Sequence, residues 1–269
     1  MKNSIKSFLE KEGNLIDKLT DTFAGDTGAL FDVFETSKRL AQDSPKSFTD
    51  YLIEGANKLK NLKFPEDGFL KCDTNYWYIM TEVAGDNTSY KSFFRIKENV
   101  SPTEAIESLF DTNTSMYQID CARFVQFLIS YAKMKTMNNK KKFDTLYKTT
   151  FEIKSHEAST HKIYNQFDFD SESGNYSSLY DSISYNNEQE LLDAMPLGSV
   201  IVLRNTDEKV TEDKPFKNEN CVKIGNDLFI AHGFETEKLF SFQSVKGNLA
   251  NYGSSSIDKI ILSTTITYE

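Results

Sequence analysis

The chain is poor in cysteine. It has three, Cys72, Cys121 and Cys221, among 269 residues. An odd, sparse set with no Cys-x-x-Cys excludes a disulfide framework and points to a reduced protein. Histidine is equally scarce: His156, His161 and His232. The pair His156/His161 is spaced so that a helix would place them on different faces, which argues against a zinc site. A Gly-rich phosphate loop is also missing, so no cofactor and no metal are expected. Nor is there an excess of positive charge. Lys+Arg total 31 against 40 Asp+Glu, a net −9. That excludes simple nucleic-acid binding and docking on an anionic membrane through a basic patch. No apolar run reaches the roughly 18 residues of a membrane span. The first twelve residues carry charges where a signal peptide needs an apolar stretch, so the N-terminus reads as mature sequence. The expected location is cytoplasmic, or delivered or secreted without a classical signal peptide.

What is present suffices for a core: 39% hydrophobic residues, with 21 Phe and 13 Tyr. Residues 1–64 read as helical. Apolar stripes run over Ile5, Phe8, Leu9, Leu15, Ile16, Leu19 and Phe23, then from Leu30 to Leu40. A third helix is expected to start at Ser44-Pro45 and to carry Phe48, Tyr51, Leu52, Ala56 and Leu59. From Asn75 the period changes to that of strands. Tyr76 to Val83 and Ser89 to Ile96, separated by Gly85-Asp86-Asn87, predict a hairpin. Ser101-Pro102-Thr103-Glu104 matches a capping box and predicts a helix through Phe110.

Asp120 to Ala132 predicts a buried helix, with Phe124, Phe127, Leu128, Tyr131 and Ala132 on one stripe and Cys121 near its start. Asp120, or Ser115 with Gln118, is the candidate cap. Residues 136–186 are polar and read mostly as loop with short elements, opening on the solvated triplet Lys140, Lys141 and Lys142. Strands return at 199–204, 219–224, 228–233 and 257–267.

Two features point to chemistry. A helix start supplies partial positive charge and free amides that favour a thiolate, so Cys121 is a candidate nucleophile; the alternative is a small buried apolar residue. A nucleophilic cysteine needs a proton acceptor. The hairpin 219–233 offers Glu219 and His232. With Gly225-Asn226 central, paired positions place Glu219 opposite His232; with Asn226-Asp227 central, Cys221 faces His232; a three-residue loop gives the intermediate register. The alternative is a surface Glu–His contact with no function.

Several short islands, in order over about residues 73–267, resemble the bacterial protein-glutamine γ-glutamyltransferase of spore coats, a transglutaminase with an NlpC/P60-like, papain-type fold. They are Asn75-Tyr76-Trp77, Pro102-Thr103-Glu104-Ala105-Ile106, Asp120-Cys121-Ala122, Gly198, Glu219-Asn220 through Gly225, and Phe229 to Ala231-His232-Gly233. The resemblance implies an α+β fold, a nucleophile helix packed on an antiparallel sheet. It makes Cys121 the nucleophile, Glu219 its acidic partner and His232 the site histidine of the wider papain-like group. Asp120 stands where the family has a glutamate that partly substitutes as base, with a shorter side chain here.

The reaction implied is acyl transfer through a Cys121 thioester, from a protein glutamine to a protein lysine, or to water as deamidation. Trp77 and Tyr78 are candidate linings of the substrate approach; strand aromatics are otherwise core. Rival readings are a delivered effector or toxin with deamidase activity, an NlpC/P60-like peptidase, and a non-catalytic binding protein. Two domains are expected: helical residues 1–70, as a segment for an inhibitory or delivery partner, and a catalytic domain, residues 71–269.

Overall fold

The computed structural model describes residues 46–65, 68–83, 90–147, 151–154, 163–169, 172–173, 175–178, 184–205, 218–232, 237–251 and 257–263. The first two predicted helices, Ser44-Pro45, and His156 and His161 lie outside the described residues. A compact unit runs from Ser47 to Glu269, and the expected division at residue 70 falls inside it.

Helix α1 (Phe48–Lys58) begins at Ser47, not at Ser44-Pro45, because a capping box forms there: Ser47 Oγ accepts the Asp50 N–H and the Asp50 carboxylate accepts the Ser47 N–H. The hairpin β1 (Trp77–Val83) and β2 (Tyr90–Ile96) pairs Trp77 with Ile96 and Val83 with Tyr90. The predicted Ser101/Glu104 box caps α2 (Pro102–Glu107), which continues as one π-helical turn, Ser108–Thr112. Helix α3 (Cys121–Met137) follows, capped by Asp120.

The segment expected to be mostly loop is more regular than its polarity suggests. The lysine triplet opens helix α4 (Lys140–Tyr147), which turns Phe143 inward. Strands β3 (Glu152–Ile153), β4 (Ile163–Phe169), β5 (Tyr176–Ser178) and β6 (Ser184–Tyr185) come next. Helix α5 (Glu188–Ala194) precedes β7 (Val200–Asn205), β8 (Asn218–Gly225), β9 (Leu228–Ala231) and β10 (Leu239–Phe240). The described part closes with α6 (Phe242–Ala250) and β11 (Ile257–Ser263). Among the described residues, no helix is long and apolar enough to cross a membrane.

The large sheet is antiparallel, in the order β10-β9-β8-β7-β11-β4-β5-β6, and a smaller sheet runs β1-β2-β3. Strands β7 to β9 are buried on both faces, which suits the apolar runs Val200–Leu203 and Leu228–Ala231, while β8 buries Glu219, Asn220 and Lys223 as well. Val200, Val222, Ile224 and Ile230 point into the core built around α3. Ile201, Leu203, Cys221, Phe229 and Ala231 point into a second core with α5 and α6. This period-two alternation decides which residues face α3.

Helix α3 is fixed between these layers. Phe124, Phe127, Leu128, Tyr131 and Ala132 are fully buried, and each large apolar side chain withdrawn from water contributes about 1.5–3 kcal/mol. Helix α1 packs on α3 closely enough that a Cβ on Gly55 would meet Leu128 at 3.0 Å. The loop after α1 brackets the chain just before α3: Ile119 N–H donates to Lys63 O at 3.1 Å, and Lys71 and Gln118 exchange backbone hydrogen bonds.

Candidate active site

Cys121 is the first residue of α3. Its cap Asp120 accepts the Arg123 N–H at 2.9 Å and pairs with the Arg123 guanidinium. That ties the Asp120 carboxylate to capping and holds the helix start rigid. Cys121 is 8% exposed. Its thiol donates to the Asn218 carbonyl at 3.6 Å, and Asn220 Nδ2 donates to Sγ at 3.2 Å. The thiol is held well above the usual thiol range, first by burial, then by the negative charges of Glu219 and Asp120. The Asn220 hydrogen bonds oppose that rise. At rest Cys121 is therefore a protonated thiol, and attack requires a base.

The hairpin register is the intermediate one. Cys221 pairs with Ala231 and Val222 with Ile230, so extending the ladder puts His232 beside Asn220. Asn220 has the parity of Val222 and Ile224, the residues facing α3. Residue type and spacing point to Glu219, Cys221 and His232 but not to Asn220. The signal that would find it is the alternation of β8 in this register.

Glu219 lies on β8, paired to Leu203 of β7, and is 1% exposed. Its Oε1 accepts the His232 N–H at 3.3 Å, and its charge is the largest electrostatic influence on the Cys121 thiol. His232 is 2% exposed. Its Nε2 lies 2.7 Å from Ile119 O; a carbonyl only accepts, so Nε2 carries the proton. The ring stacks on Phe124 and lies 6.0 Å from Phe64. Burial first, then the nearby Lys238 charge, push the imidazole pKa down to about 3, so His232 is neutral near pH 7. It does not store a thiolate–imidazolium pair with Cys121.

The structure brings Asp120, Glu219 and His232 into the surroundings of Cys121 by different routes: Asp120 adjoins it, His232 Nε2 meets Ile119 two residues before it, and Glu219, which has the parity of Cys221 rather than of Asn220, acts on the thiol through its charge and holds the His232 N–H. It separates Trp77 from them. Trp77 is 1% exposed, donates Nε1–H to Ala105 O at 3.3 Å and stands edge-on to Phe127. It is core, with no face to offer a protein substrate. Tyr78, its neighbour on the opposite face of β1, is exposed with Lys97 over its ring.

The other two thiols lack the equipment of Cys121. Cys72 is pushed up to about 11 by burial and by Asp73, and Cys221 is raised by burial and by Glu219. Neither begins a helix. Among the described residues, no cluster of three His, Cys, Asp or Glu side chains is placed to hold a metal.

The family model of protein-glutamine gamma-glutamyltransferase matches residues 33–242. The chain belongs to that family. The γ-glutamyltransferase match spans both the Cys121 helix and the Glu219–His232 hairpin, and it begins well before residue 70. Among solved structures, the chain is similar to a transglutaminase from Geobacillus stearothermophilus, without its C-terminal extension. The two are 15% identical over 80% of this chain and 86% of that one, with a TM-score of 0.53. At that identity the likeness speaks for the fold, which is the expected mixture of helices and antiparallel sheet. No curated protein matches the chain. Membership makes this γ-glutamyltransferase a cysteine-dependent acyltransferase acting on protein substrates.

Proposed function

We propose that the chain joins glutamine and lysine side chains of proteins by isopeptide bonds, with Cys121 as nucleophile and Glu219 as base. The observation that carries the assignment is geometric: Cys121 opens α3 with its thiol held by Asn218 and Asn220 of β8, the strand that also carries Glu219, and His232 has its N–H held by Glu219 and its Nε2–H engaged by Ile119. A papain-type core fits this layout, a nucleophile at a helix start packed on a sheet that carries the acid and the histidine.

In the proposed cycle Glu219 takes the thiol proton as sulfur bonds to the glutamine carboxamide carbon. The oxyanion that develops lies at the start of α3, where the Cys121 N–H and the helix dipole favour negative charge. Asn220 Nδ2 steadies the sulfur. The C–N bond breaks, the leaving ammonia takes its proton from Glu219, and a thioester remains. A lysine amine then attacks, passes its proton to Glu219, and returns sulfur as the thiol. The burial of Cys121, Glu219, Asn220 and His232 supports cross-linking over deamidation, because water exclusion preserves the thioester until an amine arrives.

The test is amine incorporation into a glutamine-bearing protein by wild type and Cys121→Ala. Incorporation lost in the variant is expected. Ammonia release without incorporation would replace the reading with deamidation, and new peptide fragments would replace it with peptidase activity.

A further inference from the structure

Lys238 is an unusual lysine. It follows an acidic stretch, Glu235-Thr236-Glu237, yet it is 4% exposed. It precedes β10, and its backbone carbonyl accepts the Ala231 N–H at 3.0 Å. That bond places its side chain beside the end of β9. Its ammonium donates to the His232 carbonyl at 3.1 Å and lies 5.8 Å from the centre of the Phe124 ring. Glu219 holds the other polar group of the same residue, the His232 N–H. The backbone of His232 is therefore gripped from both sides by oppositely charged buried side chains.

We propose that Lys238 is a positioning residue for the acyl-transfer reaction, which keeps Glu219 ionised in its buried seat and fixes the His232 backbone beside Cys121. The inference rests on the reading of Glu219 as the base. Among the described residues, the titratable groups that interact with Glu219 are Cys121 at the start of α3, Cys221 along β8, His232 beyond β9 and Lys238 before β10, while Asp120 acts on the same Cys121 thiol. Asp120 is paired with Arg123 and His232 is neutral, so among these described groups Lys238 is the one that brings positive charge to Glu219. An ionised carboxylate is costly to bury without an opposite charge. The attraction is mutual. Burial lowers Lys238 to about 8, while Glu219 acts in the other direction to keep it charged.

Removing the cation raises the carboxyl pKa of Glu219, so the base is protonated until a higher pH. The expected result for Lys238→Met is a kcat lower by about tenfold near pH 7, with the acid limb of the pH profile moved up by about one unit. KM for the glutamine donor stays near the wild-type value. Lys238→Arg restores the acid limb. Lys238→Gln keeps an N–H donor for the His232 carbonyl while removing the charge, and shifts the limb as the Met variant does; it remains readable if the Met variant is poorly folded. An acid limb unmoved in both neutral variants would overturn the proposal even if both melt at lower temperature, because a merely structural lysine changes stability without moving the limb. Cys121→Ala is run alongside. Incorporation that survives in it would overturn the underlying reading, and this inference with it.

Discussion

The imidazole of His232 lies face to face with the ring of Phe124, centroids 4.5 Å apart and planes 19° from parallel. Phe124 is three residues beyond Cys121 on the same helix, so the stack pins the hairpin to the start of α3. It also encloses the imidazole in a site that disfavours its charged form.

A pH dependence of stability follows. The native His232 has a pKa near 3 against 6.5 in the unfolded chain. Between those values the unfolded state binds the proton and the native state does not. The contribution is fully present above about pH 6.5 and is lost as pH falls toward 3, at about 1.4 kcal/mol per unit at most. Urea unfolding of wild type and His232→Asn across this window checks it: the wild type is expected to lose stability more steeply with acid. Parallel curves would show that His232 is not buried neutral.

Asn220 governs the reactivity of the thiol. Its Nδ2 donates to Cys121 Sγ at 3.2 Å, a bond that strengthens as sulfur gains charge. Asn220→Ala is expected to slow alkylation of Cys121 by iodoacetamide by roughly threefold to tenfold at pH 8. Asn220→Asp is expected to slow it further by adding a like charge. Site-resolved mass spectrometry reads the rate; an unchanged rate in both variants would remove Asn220 from the site.

Asp120 has two separable effects. Its side chain caps α3, and its charge opposes the Cys121 thiolate. Asp120→Asn keeps a good cap and removes the charge, so Cys121 alkylation accelerates with little change in melting temperature. Asp120→Ala loses the cap as well and costs about 0.5–2 kcal/mol. Thermal unfolding and alkylation measured together distinguish the two; slower alkylation in Asp120→Asn would contradict the electrostatic account.

Local chemistry was legible wherever it was strong. The Ser101/Glu104 capping box, the Trp77–Ile96 hairpin, and the helix starting at Cys121 were all readable from residue types and spacing. Strand β4 was not, because it is stabilised by pairing with β11 from the far end of the chain, and Ile163-Tyr164-Asn165-Gln166-Phe167-Asp168-Phe169, short and set in a polar stretch, carries no local sign of a distant partner. Helix α5 has a local start signal, Asn187 capping Glu190, but its short end is held from elsewhere in the chain. The ammonium of Lys223, from β8, reaches its last turn and donates to the carbonyls of Leu192 and Met195, a contact invisible to local propensity.

In the site, Cys121, Glu219 and His232 could be singled out by type, but not the role of Asn220. That role depends on the hairpin register: a slip of one residue exchanges the face of β8 that meets α3. Lys238 was unreadable because a lysine beside two glutamates looks solvated until Glu219 and the His232 carbonyl are seen to converge on it. Trp77 was open to two readings, and its contacts with Phe127 and Ala105 place it in the core.

The central claim is that Cys121 carries the acyl group while Glu219 takes its proton. It is tested most directly by quenching the enzyme in acid during turnover of a glutamine-containing peptide, without amine, and mapping the adduct by mass spectrometry. The account predicts a thioester of the peptide, less one ammonia, on Cys121 alone in the wild type. It also predicts that the adduct falls by at least about a hundredfold in Glu219→Gln. An adduct on Cys72 or Cys221, or one formed at the wild-type rate in Glu219→Gln, would contradict it.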